Sequence, residues 1–199
     1  MIPVRSTPLL DCSVAELLDR FAAKQPAPGA GAAAAITAGI AAGLLAMAAR
    51  FSTAQLIDSA GRAAHADRVR EQVIALAERD VEAYQAVLAA FALPREPDPG
   101  VRHRQIRRTL DRASRVPAEI AELASEVTIE AMQVAERGNP NLRGDALTAA
   151  TLAAAAARSA AELVRLNIEL GNLDGDHSER ASRAADAAAK AVAVISSSS

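Results

Sequence analysis

Apolar residues recur at three- and four-residue spacing in most segments of the chain, the period of amphipathic helices and not the alternation of strands. The stretch from Pro26 to Ser52 carries no charge before Arg50, and its pattern predicts a central helix around which the rest packs. Gly31, Ala35, Gly39 and Gly43 form a stripe of very small side chains, and Ile36, Ile40, Leu44, Met47 and Phe51 form a bulky one. The bulky stripe is expected to fill a core. The small stripe is expected to let a neighbour come unusually close, because a helical glycine costs about 1 kcal/mol and needs a packing return.

Other helices follow on either side. Ser13 with Glu16 forms a capping box, so a first helix is predicted from Ser13 to just before Gln25-Pro26. A long stripe of Val69, Val73, Leu76, Asp80, Tyr84, Val87 and Phe91 predicts a helix ending before residues 93–100, which hold three prolines and are expected to be a loop. An arginine-rich helix comes next, and Val116-Pro117 marks a kink or restart. A helix through Ile120, Leu123, Val127, Ala131 and Val134 then ends near Gly138. Asp145 is expected to cap an alanine-rich helix reaching Leu170, and a final helix spans about Ser178 to Ile195. The reading is a single-domain, all-α bundle of six to seven helices over residues 1–195, with a disordered serine tail at 196–199.

Composition agrees with this class. In 199 residues, 51% are apolar but only 2% aromatic, which favours close-packed helices over a sheet sandwich. Net charge is −2, and few aromatics leave neither the electrostatic footprint nor the stacking platforms of a nucleic-acid binder. The central stretch is long enough to span a membrane, yet its alanines and glycines insert only weakly compared with leucine, so no membrane partner is expected. With the lone Cys12 no internal disulfide can form, and the start lacks the basic-then-apolar order of a secretory signal. The expected compartment is the cytoplasm.

Candidate chemistry is sparse. There is no phosphate-binding loop, dinucleotide fingerprint, HExxH or paired cysteines, and the three histidines stand in separate segments, so no metal site is assigned. Asp80 shares a helix face with Leu76 and Tyr84, where an unpaired charge is costly. Its structural role would be a paired carboxylate, or one at the edge of the stripe; its functional role, a catalytic group. Asn167 likewise shares an apolar side with Leu163 and Leu170 and needs partners. Asp145 and Asn167 are 22 residues apart, about 33 Å along a continuous helix, so they cannot serve one site within one protomer. Arg102, Arg104, Arg107, Arg108, Arg112 and Arg115 make either a solvated basic face or a docking surface for an anionic tail or partner.

Five phrases resemble, in order, those of the cyclodeaminase/cyclohydrolase family: LLDRFAAKQPAPGAGAAAAITAGIAAGLL, ERDVEAYQAVLAAFALP, RASRVPAEIAELA, ERGNPNLRGDALTAA and LVRLNIEL. The resemblance implies an all-helical, generally dimeric enzyme of folate one-carbon chemistry with no cofactor beyond the folate substrate. The implied reaction is hydrolysis of 5,10-methenyltetrahydrofolate to 10-formyltetrahydrofolate; the alternative is formiminotetrahydrofolate cyclodeamination. It points to Asp145 and Asp80 as catalytic, and to Pro28, Gly29, Gly31, Tyr84, Asn139, Asn141 and Asn167 as substrate-binding. The chain departs from the family at Ala30 and Gly144, which stand in place of a glycine and a serine. Where the family often carries a basic and aromatic cluster after the central helix, STAQLIDSAG has neither lysine nor tyrosine. A non-catalytic helical binding protein on the same scaffold is therefore the further alternative.

Overall fold

The computed structural model describes residues 7–94 and 99–196, and within them the chain is all-helical. After a short 3-10 turn at Leu9–Asp11 come α1 (Val14–Ala22), α2 (Ala30–Arg50), α3 (Ser59–Phe91), α4 (Pro99–Arg137), α5 (Arg143–Gly171) and α6 (Asp176–Ser196). Of the serine tail expected at 196–199, Ser196 ends α6 and residues 197–199 lie outside the described residues. The capping box forms as predicted, with the Ser13 hydroxyl accepting from the Glu16 N–H and the Glu16 carboxylate accepting from the Ser13 N–H.

α2 packs against α3, α5 and α4, and its buried residues are almost all Ala and Gly. They meet an equally small face of α5, where Ala146, Ala149, Ala150, Ala153, Ala156, Ala157 and Ala160 are buried. Two alanine surfaces let helix axes approach toward the short end of the usual range of about 8–10 Å. Larger side chains fill the space where α4 crosses, among them Leu76, Leu110, Ile120, Val127 and Val164, all fully buried. α6 closes the bundle, pinned to α4 by a two-pronged Arg180–Glu122 pair at 2.7 and 2.8 Å.

The two stripes of α2 exchange one of their expected roles. The small stripe does take a close neighbour: a Cβ added at Gly39 would lie 2.4 Å from Ile74 Cγ2 of α3. The bulky stripe does not fill the core. Ile40 is 55% and Phe51 64% exposed, and Ile36, Leu44 and Met47 are only half-buried. Alanine-lined approaches on both sides leave no room for large side chains, so these turn outward. Gly39→Leu is expected to lower the melting temperature, by overpacking worth about 1–3 kcal/mol. An unchanged thermal unfolding curve would show that α3 can move away.

Helix limits differ from expectation at two prolines. Pro99 and Gly100, assigned to the loop, begin α4, because proline's missing N–H costs nothing in a first turn. Val116-Pro117 does not divide the chain into two helices: α4 runs on to Arg137 with Pro117 inside it, fully buried. Packing of Leu110, Val116, Ile120 and Ala121 on both sides of the proline offsets the lost hydrogen bond.

Candidate active site

Helix α2 starts at the N-cap residue Gly29, which has no side chain to satisfy the free N–H groups of the first turn. A neighbouring helix supplies the cap. Asp80, midway along α3, accepts a hydrogen bond from the Ala32 N–H at 3.0 Å. Ala32 is the third helical residue, the position an N-cap side chain ordinarily serves. The approach depends on Gly31, where a Cβ would sit 2.0 Å from Asp80 Oδ1. Glycine here and aspartate forty-nine residues later in the sequence are thus one structural unit.

The carboxylate of Asp80 is pulled in two directions. Burial raises its pKa above the ordinary carboxylate value, and the Ala32 hydrogen bond opposes that rise without cancelling it. Such a group is a stronger proton acceptor than a surface aspartate while still held by a helix N-terminus.

A cavity of about 130 Å³ opens on Asp80. Tyr84, one turn further along α3, and Asn167 of α5 also line it, with Pro26, Ala27, Gly29 and Gly31 from the turn into α2. The amide of Asn167 and the hydroxyl of Tyr84 form no hydrogen bond among the described residues, so their donors face the cavity uncommitted. Pro28, joined to Ala27 by a cis peptide bond, shapes the turn but does not line the cavity.

Sequence reasoning missed one feature. Ala113 and Pro117 line the same cavity, and a proline in a helix withdraws the N–H that would bond the carbonyl four residues earlier. The Ala113 carbonyl therefore loses its usual partner beside the cavity. The signal was present in Pro117 itself, which the sequence placed at a helix break.

The remaining expected residues gather at the other end of α2. Gly138 and Asn139 meet its last turn: the Asn139 N–H donates to Ser52 Oγ at 2.9 Å, and its amide Nδ2 donates to the Phe51 carbonyl at 3.0 Å. Asn139 Oδ1 accepts from the Asn141 N–H at 3.0 Å, capping the 3-10 turn Pro140–Leu142. The Asn139 side chain thus holds this turn to α2 through its amide nitrogen and caps it through its oxygen, while Asn141 is exposed. Asp145 is not the helix cap it was expected to be. Leu142 occupies the N-cap position of α5 without a side-chain bond, and Asp145 sits half-buried inside the first turn, where a negative charge is favoured by the helix dipole. Because the 3-10 turn starts the helix in register, no side-chain cap is required.

α5 is continuous, so Asp145 and Asn167 lie about 33 Å apart, at opposite ends of the antiparallel α2–α5 pair. One protomer brings Asp80, Tyr84, Asn167, Gly29 and Gly31 together, and leaves Asn139, Asn141 and Asp145 apart from them.

Comparison with known proteins bears on the fold and the family. Residues 13–192 match the formiminotransferase-cyclodeaminase family. A methenyltetrahydrofolate cyclohydrolase of Methylorubrum extorquens is 32% identical over 163 residues, 78% of each chain. The crystal structure of a formiminotetrahydrofolate cyclodeaminase from Thermotoga maritima superposes with a TM-score of 0.76 at 21% identity, covering 94% of this chain and 99% of that one, which establishes the shared fold. A match running from the cap of α1 to the last turns of α6, joined to that fold, shows that this chain belongs to the formiminotransferase-cyclodeaminase family.

Proposed function

We propose that the protein is a folate-dependent one-carbon enzyme that hydrolyses 5,10-methenyltetrahydrofolate to 10-formyltetrahydrofolate. The observation that carries the reading is Asp80, a partly desolvated carboxylate fixed by the N-terminus of α2 and opening on a cavity with uncommitted polar groups. The cyclohydrolase of Methylorubrum extorquens, 32% identical over most of both chains, supports it.

The substrate is a cation, its charge spread over a carbon bridging two nitrogens. Beside such a carbon, Asp80 stabilises the positive charge and accepts a proton as water adds its oxygen. The neutral adduct then opens: the bond from carbon to N5 breaks, the hydroxyl proton passes to N5, and the carbon remains on N10 as a formyl group. Asp80 returns its proton to solvent, and the sum consumes one water and releases one proton. The reaction balances with water alone. Tyr84 and Asn167 offer hydrogen bonds to orient the ring, Gly31 makes room for the Asp80 carboxylate, and Gly29 adds no side chain to the cavity wall.

A purified-protein assay following the loss of methenyltetrahydrofolate absorbance tests the reading. A rate no higher than spontaneous hydrolysis would remove it. Faster release of ammonia from 5-formiminotetrahydrofolate would reassign the chemistry to cyclodeamination.

The proposal extends to a cytoplasmic homodimer with a shared site. The outward stripe, with Ile40 and Phe51 exposed and Ile36, Leu44 and Met47 half-buried, runs the length of α2, and Leu166 and Leu170 stand exposed near the end of α5. A continuous apolar face of this kind marks an interface. The small stripe, by contrast, is occupied by α3 within the protomer and is not available to a second copy. An antiparallel, two-fold pairing along α2 would carry the Asp145 end of the partner toward the Asp80 cavity, where Asn141 and Asp145 would complete the site. Asp145→Asn is then expected to nearly keep its melting temperature and lose turnover by about 100-fold, since Asp145 is not the cap of α5 and asparagine removes only the charge. Full activity in that variant would remove Asp145 from the mechanism and leave Asp80 as the working carboxylate.

A further inference from the structure

A groove of about 770 Å³ lies between the second half of α3 and the first half of α4. It shares Ala83 and Ala113 with the Asp80 cavity, so two alanines form the common wall. Elsewhere its walls are mostly apolar, including Ala86, Ala89, Leu93 and Val116, a surface suited to a planar aryl group. Arg79, Arg112 and Glu82 are its charged members.

These charges are not equivalent. Arg79 is paired with Glu119 at 3.4 Å. Glu82 would repel an anion. Arg112 forms no ion pair among the described residues, and it immediately precedes Ala113 of the common wall. Asp80 stands three residues before Ala83, about 4.5 Å of helix rise. A ligand reacting at Asp80 therefore has an apolar channel beginning one turn away, with an uncommitted guanidinium at its start. The methenyl substrate has a matching shape: its reactive carbon is attached through N10 to an aminobenzoyl ring, which ends in a glutamate carrying two carboxylates.

We propose that this groove receives the aminobenzoyl-glutamate tail of the substrate, with Arg112 as the residue that holds a tail carboxylate. The assignment rests on the cyclohydrolase reading above and adds a specificity determinant to it. A planar guanidinium grips a carboxylate through two parallel hydrogen bonds.

Steady-state kinetics on two substrates test it: methenyltetrahydrofolate carrying one glutamate, and the same compound truncated after the aryl ring. The wild type should show a KM about tenfold lower for the complete substrate, the worth of one charge-assisted hydrogen bond, at similar kcat. Arg112→Ala should raise KM for the complete substrate to that of the truncated one and leave the truncated reaction unchanged; Arg112→Lys should recover part of the preference. A wild type that does not distinguish the two compounds, or an Arg112→Ala enzyme that still does, overturns the groove assignment while leaving the cyclohydrolase reading intact. A wild type that hydrolyses neither compound overturns both.

Discussion

Asp80→Asn is expected to abolish turnover, by about 100-fold or more, while its melting temperature at neutral pH stays level or rises. The loss follows from removing the proton acceptor beside the reacting carbon, since positioned general bases contribute roughly 10²–10⁴-fold. Stability moves the other way for an electrostatic reason. Burial raises the folded-state pKa of Asp80 above its unfolded value. A group raised in this way contributes stability below the unfolded pKa, and that contribution is lost as pH rises through the folded pKa. At neutral pH the ionised carboxylate is therefore the less stable occupant of its place. Asparagine still presents an oxygen to the Ala32 N–H but carries no charge to desolvate. The stability gap between the two proteins should narrow on acidification, as Asp80 in the wild type takes up its proton. In the same window the wild-type rate should fall, because the protonated acid cannot accept a proton from water. Calorimetry and rate measurements across pH read both effects. An Asp80→Asn enzyme that still turns over would limit Asp80 to capping α2.

Ile40→Asp carries the second large effect. In the protomer Ile40 is 55% exposed, so a charge there meets water and the fold should survive. In a two-fold pairing along α2 the substitution enters the interface twice and strips a carboxylate of water on each side, at several kcal/mol. Each 1.4 kcal/mol weakens association tenfold. The variant should scatter light as a monomer at concentrations where the wild type is a dimer, keep its helical circular dichroism, and lose activity because the Asp80 and Asp145 ends no longer meet. A monomeric wild type would end the dimer proposal. A monomeric Ile40→Asp protein with full activity would end only the shared site.

Much of the bundle was legible in the sequence because helical period, caps and breakers are local signals. Ser13 and Glu16, the uncharged run of α2 and the alanine face of α5 all lie where their spacing placed them. What spacing could not tell was which side of α2 faces inward. Two stripes share the helix, and the inward one is chosen by α3 and α5, whose contact faces are themselves small; hydrophobicity alone would have put Ile40 inside. Pro117 misled for a related reason: its cost is local, while the packing that offsets it is tertiary. The Asp80 cavity was half visible. An aspartate at a core position was conspicuous, but its partner was a backbone N–H forty-eight residues away, and no side-chain pattern records such a bond. Arg112 was hidden within a run of like residues, set apart only by the groove it borders.

The interior faces of α2 and α5 are built almost wholly from alanine, and this makes the response of the core to mutation lopsided. Removing a methyl by Ala→Gly costs roughly the helix-propensity difference of about 1 kcal/mol plus a small void, and buried alanine had no rotamers to lose on folding. Adding even two carbons, as in Ala→Val at the fully buried Ala38 or Ala153, finds little room, because the facing residues are largely alanines with no rotamers to swing aside. A leucine-rich core behaves in the opposite way, failing chiefly by truncation. Sequence drift in this protein should therefore be confined by a ceiling on residue size along α2 and α5, with change concentrated instead on the outward positions of α4 and α6.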